Sequence, residues 1–257
     1  MSNTTAVLEA KGLGVEFGGL KAVSQFDISI GDGELVGLIG PNGAGKTTVF
    51  NLLTGVYQPT EGKFFMNGEI MNGKPTHLVV HSGIARTFQN IRLFKNMTVL
   101  DNVKIAFNRK MKYGLASAVF RTGSFWKEEN EIDEKARELL KLFHLEELAD
   151  TKAGNLPYGK QRKLEITRAL ATDMKVLLLD EPAAGMNPTE TAELLESINM
   201  IREKFRISIL LIEHDMSLVM KICERIIVLN YGQILASGTP EQIANNPDVI
   251  TAYLGKA

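Results

Sequence analysis

Leu35-Val36-Gly37-Leu38-Ile39-Gly40-Pro41-Asn42-Gly43-Ala44-Gly45-Lys46-Thr47-Thr48 is the stretch whose reading decides the fold. Leu35 to Ile39 is a short apolar run, which suits a buried strand. Gly40 to Thr47 then satisfies G-x-x-x-x-G-K-[ST] at every fixed position. Thr47 to Leu53 reads as a helix that follows directly. Strand, glycine-rich loop and helix in that order make a cradle for phosphate. Glycines let the backbone wrap closely, so that amide N–H groups point inward. The helix start brings the positive end of its dipole to the same anion. Lys46 supplies a point charge for β- and γ-phosphates, and the Thr47 hydroxyl is a ligand for Mg²⁺. By itself the loop implies a nucleotide and nothing more.

A second apolar strand supplies the carboxylates such a site needs. Val176-Leu177-Leu178-Leu179 runs into Asp180-Glu181-Pro182, and ligands of open α/β sheets gather at strand ends. Asp180 is expected to hold Mg²⁺ through a water, and Glu181 to orient or deprotonate the attacking water. His214 follows a third apolar run, Ile207 to Ile212. Taken alone it reads as a surface or capping residue; beside the other two motifs it reads as a contact on the γ-phosphate side.

The remaining chain fits around these motifs. Val7 to Phe17, Phe26 to Ile30, Lys63 to Met66 and Ile84 to Phe88 carry strand signals, and Gly31-Asp32-Gly33 marks a turn. Val99 to Lys112, Glu128 to Phe143 and Gly159 to Thr172 show helical spacing, with Ile132, Ala136, Leu139, Leu140 and Phe143 on one face. Asn187-Pro188-Thr189-Glu190 reads as a helix start with Asn187 as the cap. Arg225 to Asn230 and Gln233 to Ser237 flank the turn Tyr231-Gly232. The expected fold is α/β: a P-loop NTPase core with a mostly parallel sheet, an antiparallel β subdomain and an inserted α-helical subdomain. We place that insert at 92–168, within a single ATP-binding domain of 1–257.

Composition narrows the partners. The 257 residues are 44% hydrophobic with a net charge of −1, and no long basic run favours nucleic acid. The single cysteine, Cys223, rules out an internal disulfide framework and reads as a small buried apolar residue. No signal peptide is evident, and no apolar run approaches the roughly 20 residues of a spanning helix. Membrane association is therefore expected through a partner.

Further motifs stand between and beside those already described: Phe17 ahead of the loop, Thr87-Phe88-Gln89, and Leu156-Pro157-Tyr158-Gly159-Lys160-Gln161 before Asp180-Glu181. With this order of motifs the chain resembles the ATP-binding subunits of ABC transporters over essentially its whole length. The resemblance implies ATP with Mg²⁺ as cofactors. It implies that Phe17 stacks on adenine, that Gly40, Pro41, Asn42, Gly43, Ala44, Gly45, Lys46, Thr47 and Thr48 hold the phosphates, and that Gln89 reaches Mg²⁺ where a membrane subunit docks. Thr47, Gln89 and Asp180 form the metal set; Glu181, His214 and Lys46 form the catalytic set. Tyr158, Gly159 and Lys160 match the signature segment, which completes the site of a facing subunit.

Finer features resemble the branched-chain amino-acid importer branch and its LivG-type subunits. They include Phe17-Gly18-Gly19-Leu20, Arg86-Thr87-Phe88-Gln89, Glu181 to Pro188, Asn246 to Ile250 and the stretch Tyr113 to Trp126. That resemblance implies a second, related but different ATP-binding subunit, two permeases, an external substrate-binding protein, and a place on the cytoplasmic face of the inner membrane. Urea or amide uptake and lipopolysaccharide export are the neighbouring alternatives for the cargo. A non-transport ABC ATPase and a P-loop kinase are the competing classes. The signature departs from the common Leu-Ser-Gly-Gly-Gln: Pro157 brings neither hydroxyl nor N–H, while Lys160 adds a charge. Two readings of this stay open, a weakened ATP site or a proline that merely starts the helix. Phe125 and Trp126, placed before the Glu128 helix, read as local packing or as a docking feature.

Overall fold

The computed structural model describes residues 6–110 and 123–254. In chain order the elements are β1 (Leu8–Phe17), β2 (Leu20–Ile30), β3 (Leu35–Ile39), α1 (Lys46–Leu53), β4 (Glu61–Met66), β5 (Glu69–Ile70), α2 (Thr76–His81) and β6 (Ile84–Arg86). Then come α3 (Val99–Lys104), α4 (Gly123–Lys141), α5 (Tyr158–Leu170), β7 (Val176–Asp180), α6 (Pro188–Phe205) and β8 (Ser208–Ile212). The chain closes with α7 (Met216–Ile222), β9 (Arg225–Asn230), β10 (Gln233–Gly238), α8 (Pro240–Ala244) and α9 (Pro247–Leu254). Two compact units result: Met1–Gln89, Met174–Ala184 and Ile198–Ala257 form one, and Asn90–Asp173 with Gly185–Ser197 form the other.

The first unit holds two sheets. Strands β2-β1-β4-β5 make a four-stranded antiparallel sheet, and β10-β9-β3-β8-β7-β6 make a six-stranded one. In the larger sheet every pairing is parallel except β10 with β9. Its inner strands β3, β7 and β8 are buried at every residue, which is why they read as unbroken apolar runs rather than alternating ones. Strand β3 lies between β8 and β9, with Leu38 opposite Ile212 on one side and Ile227 on the other. Helix α7 packs so closely on β3 that a Cβ on Gly37 would stand 2.9 Å from Val219 and 3.0 Å from the Cys223 sulfur. Phe26, Phe50 and Phe64 anchor the core beneath the smaller sheet and α1.

The second unit is helical. Helices α3, α4 and α5 pack on one another, burying Val99, Val103, Ile132, Ala136, Leu140, Phe143 and Leu164. The spacing-based face of α4 is thus the packed face, with Leu139 at its half-buried margin.

Several boundaries differ from the sequence reading. Strand β2 begins at Leu20 rather than Phe26, because Gly18 and Gly19, both at positive φ, close a two-residue hairpin that pairs Phe17 with Leu20. Strand β6 stops at Arg86. The helix expected over Val99 to Lys112 is α-helical only to Lys104 and tightens into a 3₁₀ turn over Ile105–Lys110; Met111 and Lys112 lie outside the described residues. Helix α4 begins at Gly123, so Phe125 and Trp126 sit inside it and not before it. Of the stretch Tyr113 to Trp126, residues up to Thr122 lie outside the described residues.

Candidate functional site

The loop Gly40–Gly45 joins β3 to α1, and its two end glycines are closely crowded by the surrounding chain. A Cβ on Gly40 would fall 2.1 Å from the Leu229 carbonyl oxygen. Gly45, at φ 104°, would place one 3.0 Å from the Ala22 oxygen. Gly43 faces open space. The outer rim is braced: the Gly232 N–H donates to the Ala44 oxygen at 2.9 Å, and the Gly40 N–H faces the phenolic oxygen of Tyr253 on α9. Lys46 is buried and arches over the loop, donating to the carbonyls of Gly40 at 2.6 Å and Pro41 at 3.0 Å. Burial lowers its pKa, while the carboxylates of Glu181 and Asp180 oppose that shift. Thr47 is exposed at the start of α1 and Thr48 is half-buried behind it.

Asp180 closes β7 and is almost fully buried. Arg86, at the end of β6, donates from Nη2 to Asp180 Oδ2 at 2.7 Å and from Nη1 to Asn51 Oδ1 at 2.7 Å. Its guanidinium lies 5.4 Å from the Phe50 ring and 5.1 Å from the Phe88 ring. Glu181 holds a left-handed backbone at φ 46°, a strained state for a non-glycine residue of the kind that clusters at functional sites. Gln89 Nε2 donates to Glu181 Oε2 at 2.7 Å. His214 Nδ1 stands 4.0 Å from Glu181 Oε1 and 3.8 Å from Glu213 Oε2, with its ring largely exposed. Glu213 is buried and accepts the Ala183 N–H at 3.0 Å. Burial pushes its pKa up, and the Ala183 hydrogen bond and His214 pull it back.

Hydrogen bonds and electrostatic coupling therefore gather Lys46, Gln89, Asp180, Glu181 and His214 within the first unit. Phe17 is separate from that group: it is half-exposed, with its ring edge-on to Tyr57 at 5.1 Å. Tyr158, Gly159 and Lys160 belong to the second unit. There Pro157 stands at the N-cap of α5 and accepts the first helical bond, from the Gln161 N–H at 3.0 Å, but gives no side-chain cap. Gly159 packs against the end of the Glu190 side chain, where a Cβ would stand 3.0 Å from Glu190 Oε1. Tyr158 receives an Arg162 N–H on its hydroxyl at 3.2 Å, and Lys160 is exposed.

Arg86, Glu213 and Tyr57 are the residues that motif reading passes over. Arg86 and Glu213 sit inside or next to a recognised motif and Tyr57 lies beyond the helix after the loop, yet each has a partner far along the chain. The only sequence signal for the first two is a charge in or beside an apolar strand end, where it must be paired.

The donor set suits the groups implied by the loop. Among the described residues no three His, Cys, Asp or Glu side chains gather to hold a metal. Hydroxyl, amide and carboxylate oxygens from Thr47, Gln89 and Asp180 fit Mg²⁺, which takes one or two carboxylates and fills the rest with phosphate and water.

Comparison with known proteins agrees with the geometry. Residues 23–184 match the ABC transporter family, and residues 233–257 match the branched-chain amino acid ATP-binding cassette transporter family. The high-affinity branched-chain amino acid transport ATP-binding protein BraF of Pseudomonas aeruginosa is 49% identical over 251 residues, 98% of each chain. The protein of the same description named LivG, from Escherichia coli K12, is 50% identical over 251 residues, again 98% of each chain. A crystal structure of the ADP conformation of MJ1267, an ATP-binding cassette of an ABC transporter, superposes with a TM-score of 0.85 at 32% identity, covering 98% of this chain and all of that one. By these matches the chain belongs to the ABC transporter ATP-binding subunits, in the branch that contains LivG and BraF.

Proposed function

We propose that this chain hydrolyses ATP to drive high-affinity uptake of branched-chain or related amino acids through partner permeases. The observation that carries the ATPase reading is the grouping of Glu181 with Gln89 and His214 beside the P-loop lysine. The cargo is supported by end-to-end identity with BraF and LivG, whose names state branched-chain amino acid transport. In this reading 1–257 forms a single ATP-binding domain with the helical subdomain 92–168 inserted in it. Gly40 to Thr48 hold the phosphates of ATP, and Phe17 stacks on adenine. Thr47, Gln89 and Asp180 hold Mg²⁺, which when bound offsets the phosphate charge.

The chain's own residues then do the following. Lys46 exchanges its two carbonyl partners for phosphate oxygens. Its buried position strengthens that contact, because a charge partner in a low-dielectric site is worth more than in water. Glu181 takes the proton of the attacking water. Gln89 holds its Oε2, which leaves Oε1 on the His214 side, and His214 steadies charge that develops on the γ-phosphate side. Catalysis of this kind is mostly positioning and charge stabilisation. Tyr158, Gly159 and Lys160 complete the site of a second, related ATP-binding subunit. In this reading, supported by the resemblance to LivG-type subunits, the chain sits peripherally on two permeases at the cytoplasmic face, with an external substrate-binding protein beyond them; among the described residues no helix is long and apolar enough to cross a membrane.

Two substitutions test the chemistry. Lys46→Ala is expected to weaken ATP binding at least tenfold in a fluorescent-nucleotide titration; unchanged affinity would remove the loop from the mechanism. Glu181→Gln is expected to bind ATP normally and to lose about 100-fold or more in turnover, the scale of a lost general base. Purifying Glu181→Gln with ATP from native membranes tests the assembly. A second ATPase with two distinct permeases is the expected result, and a homodimer on one permease type would overturn the importer reading.

A further inference from the structure

We propose that Arg86 is a positioning residue for Asp180, and that its fixed guanidinium sets how well the site takes up Mg²⁺. This rests on the reading of Asp180 as a metal-holding carboxylate. Arg86 stands at the end of β6, in register with Leu178 of the neighbouring β7. The Thr87 N–H continues that pairing onto the Leu178 carbonyl at 3.0 Å. From there the side chain does three things at once. It bonds Asp180 Oδ2, it bonds Asn51 Oδ1 in the helix that follows the P-loop, and its flat group sits by the rings of Phe50 and Phe88. Both ion-pair side chains are only 8% exposed, so neither swings free into solvent.

The consequence for the carboxylate is geometric. Oδ2 is taken by the guanidinium, so Oδ1 is the oxygen left for a cation. A guanidinium held on its other side by Asn51 restrains the position of Oδ2, and with it the direction in which Oδ1 faces, as well as supplying charge. The same guanidinium ties that carboxylate to α1, whose first residues are Lys46 and Thr47. Asp180 and Thr47, two members of the expected metal set, are thereby joined through Asn51 and Arg86. Groups that orient a metal ligand in this way usually alter metal affinity about 10- to 100-fold when removed.

The test is a Mg²⁺ titration of fluorescent ATP binding to the full chain, with no turnover measured. Arg86→Lys keeps the positive charge and loses the bridge. It is expected to raise the Mg²⁺ concentration at half-maximal enhancement about tenfold, with nucleotide affinity in chelator within about twofold of wild type. Asn51→Ala leaves the Arg86–Asp180 pair in place and removes one anchor, so a smaller shift in the same direction is expected; it carries the test should Arg86→Lys not fold by its melting curve. Wild-type half-points in the folded variants would overturn the proposal. So would equal weakening with and without Mg²⁺, which would make Arg86 a scaffold residue only. A half-point moved to lower Mg²⁺ would show a competing charge and overturn it as well. Asp180→Asn in the same titration separates the two levels: if it shifts the half-point while the other variants do not, Arg86 alone is misassigned, and if it does not shift, the metal role of Asp180 itself fails.

Discussion

Cys223 is buried against the inner strand β3, and burial pushes its thiol pKa from an ordinary 9.0 to about 12. A raised pKa on an acid means that folding favours the protonated form. The associated stability is complete below about pH 9 and drains away between 9 and 12 as the unfolded thiol ionises first. The folded protein is therefore expected to resist a thiol-alkylating reagent at about pH 8 and to react fully once denatured, as mass spectrometry of the two states would show. The same contrast between local and distant partners explains what was legible at single residues. Lys46, Asp180, Glu181, Gln89 and His214 stand out as candidates in the sequence because each lies in a short motif. Arg86 lies within a motif too, but its partner Asp180 is 94 positions away, so no local signal assigns it a role. Glu213 was likewise passed over, since its burial and its Ala183 contact, 30 positions distant, exist only in the fold.

At the scale of elements, the start of α6 was read correctly from four residues. Asn187 Oδ1 accepts the Glu190 N–H at 2.9 Å, and Glu190 Oε2 accepts the Asn187 N–H at 3.1 Å, a reciprocal cap. Asn187→Ala is expected to cost about 1 kcal/mol in a denaturant melt, and Asn187→Asp close to nothing, since either side chain caps equally well. A large loss of ATP turnover in Asn187→Asp, with stability kept, would point to a role beyond the cap. Pro157 differs: it starts α5 without a side-chain cap. Boundaries were missed where local signals conflict. Polar Gly123 to Lys127 gave no apolar periodicity, yet α4 begins there. Val99 onward gave a helical period that the 3₁₀ turn at Ile105–Lys110 does not keep. In β2 the Gly18-Gly19 hairpin starts a strand whose first residues, Leu20 and Lys21, are both exposed and so carry no burial pattern.

For the whole molecule, the order of strands is what the sequence could not supply. Apolar runs identify β3, β7 and β8 as inner strands, but no local feature says that β3 is flanked by β8 and β9 rather than by its neighbours in the chain. That order has a consequence for how the protein is made. The phosphate loop leaves the ribosome well before the strands on either side of β3 and the Leu229 carbonyl packed against Gly40. A nascent chain that has reached only β7 carries the nucleotide motif with no wall behind it. The contacts that close so long a loop are slow to form, so the backing of the loop is complete only after β9 has been added to the growing polypeptide.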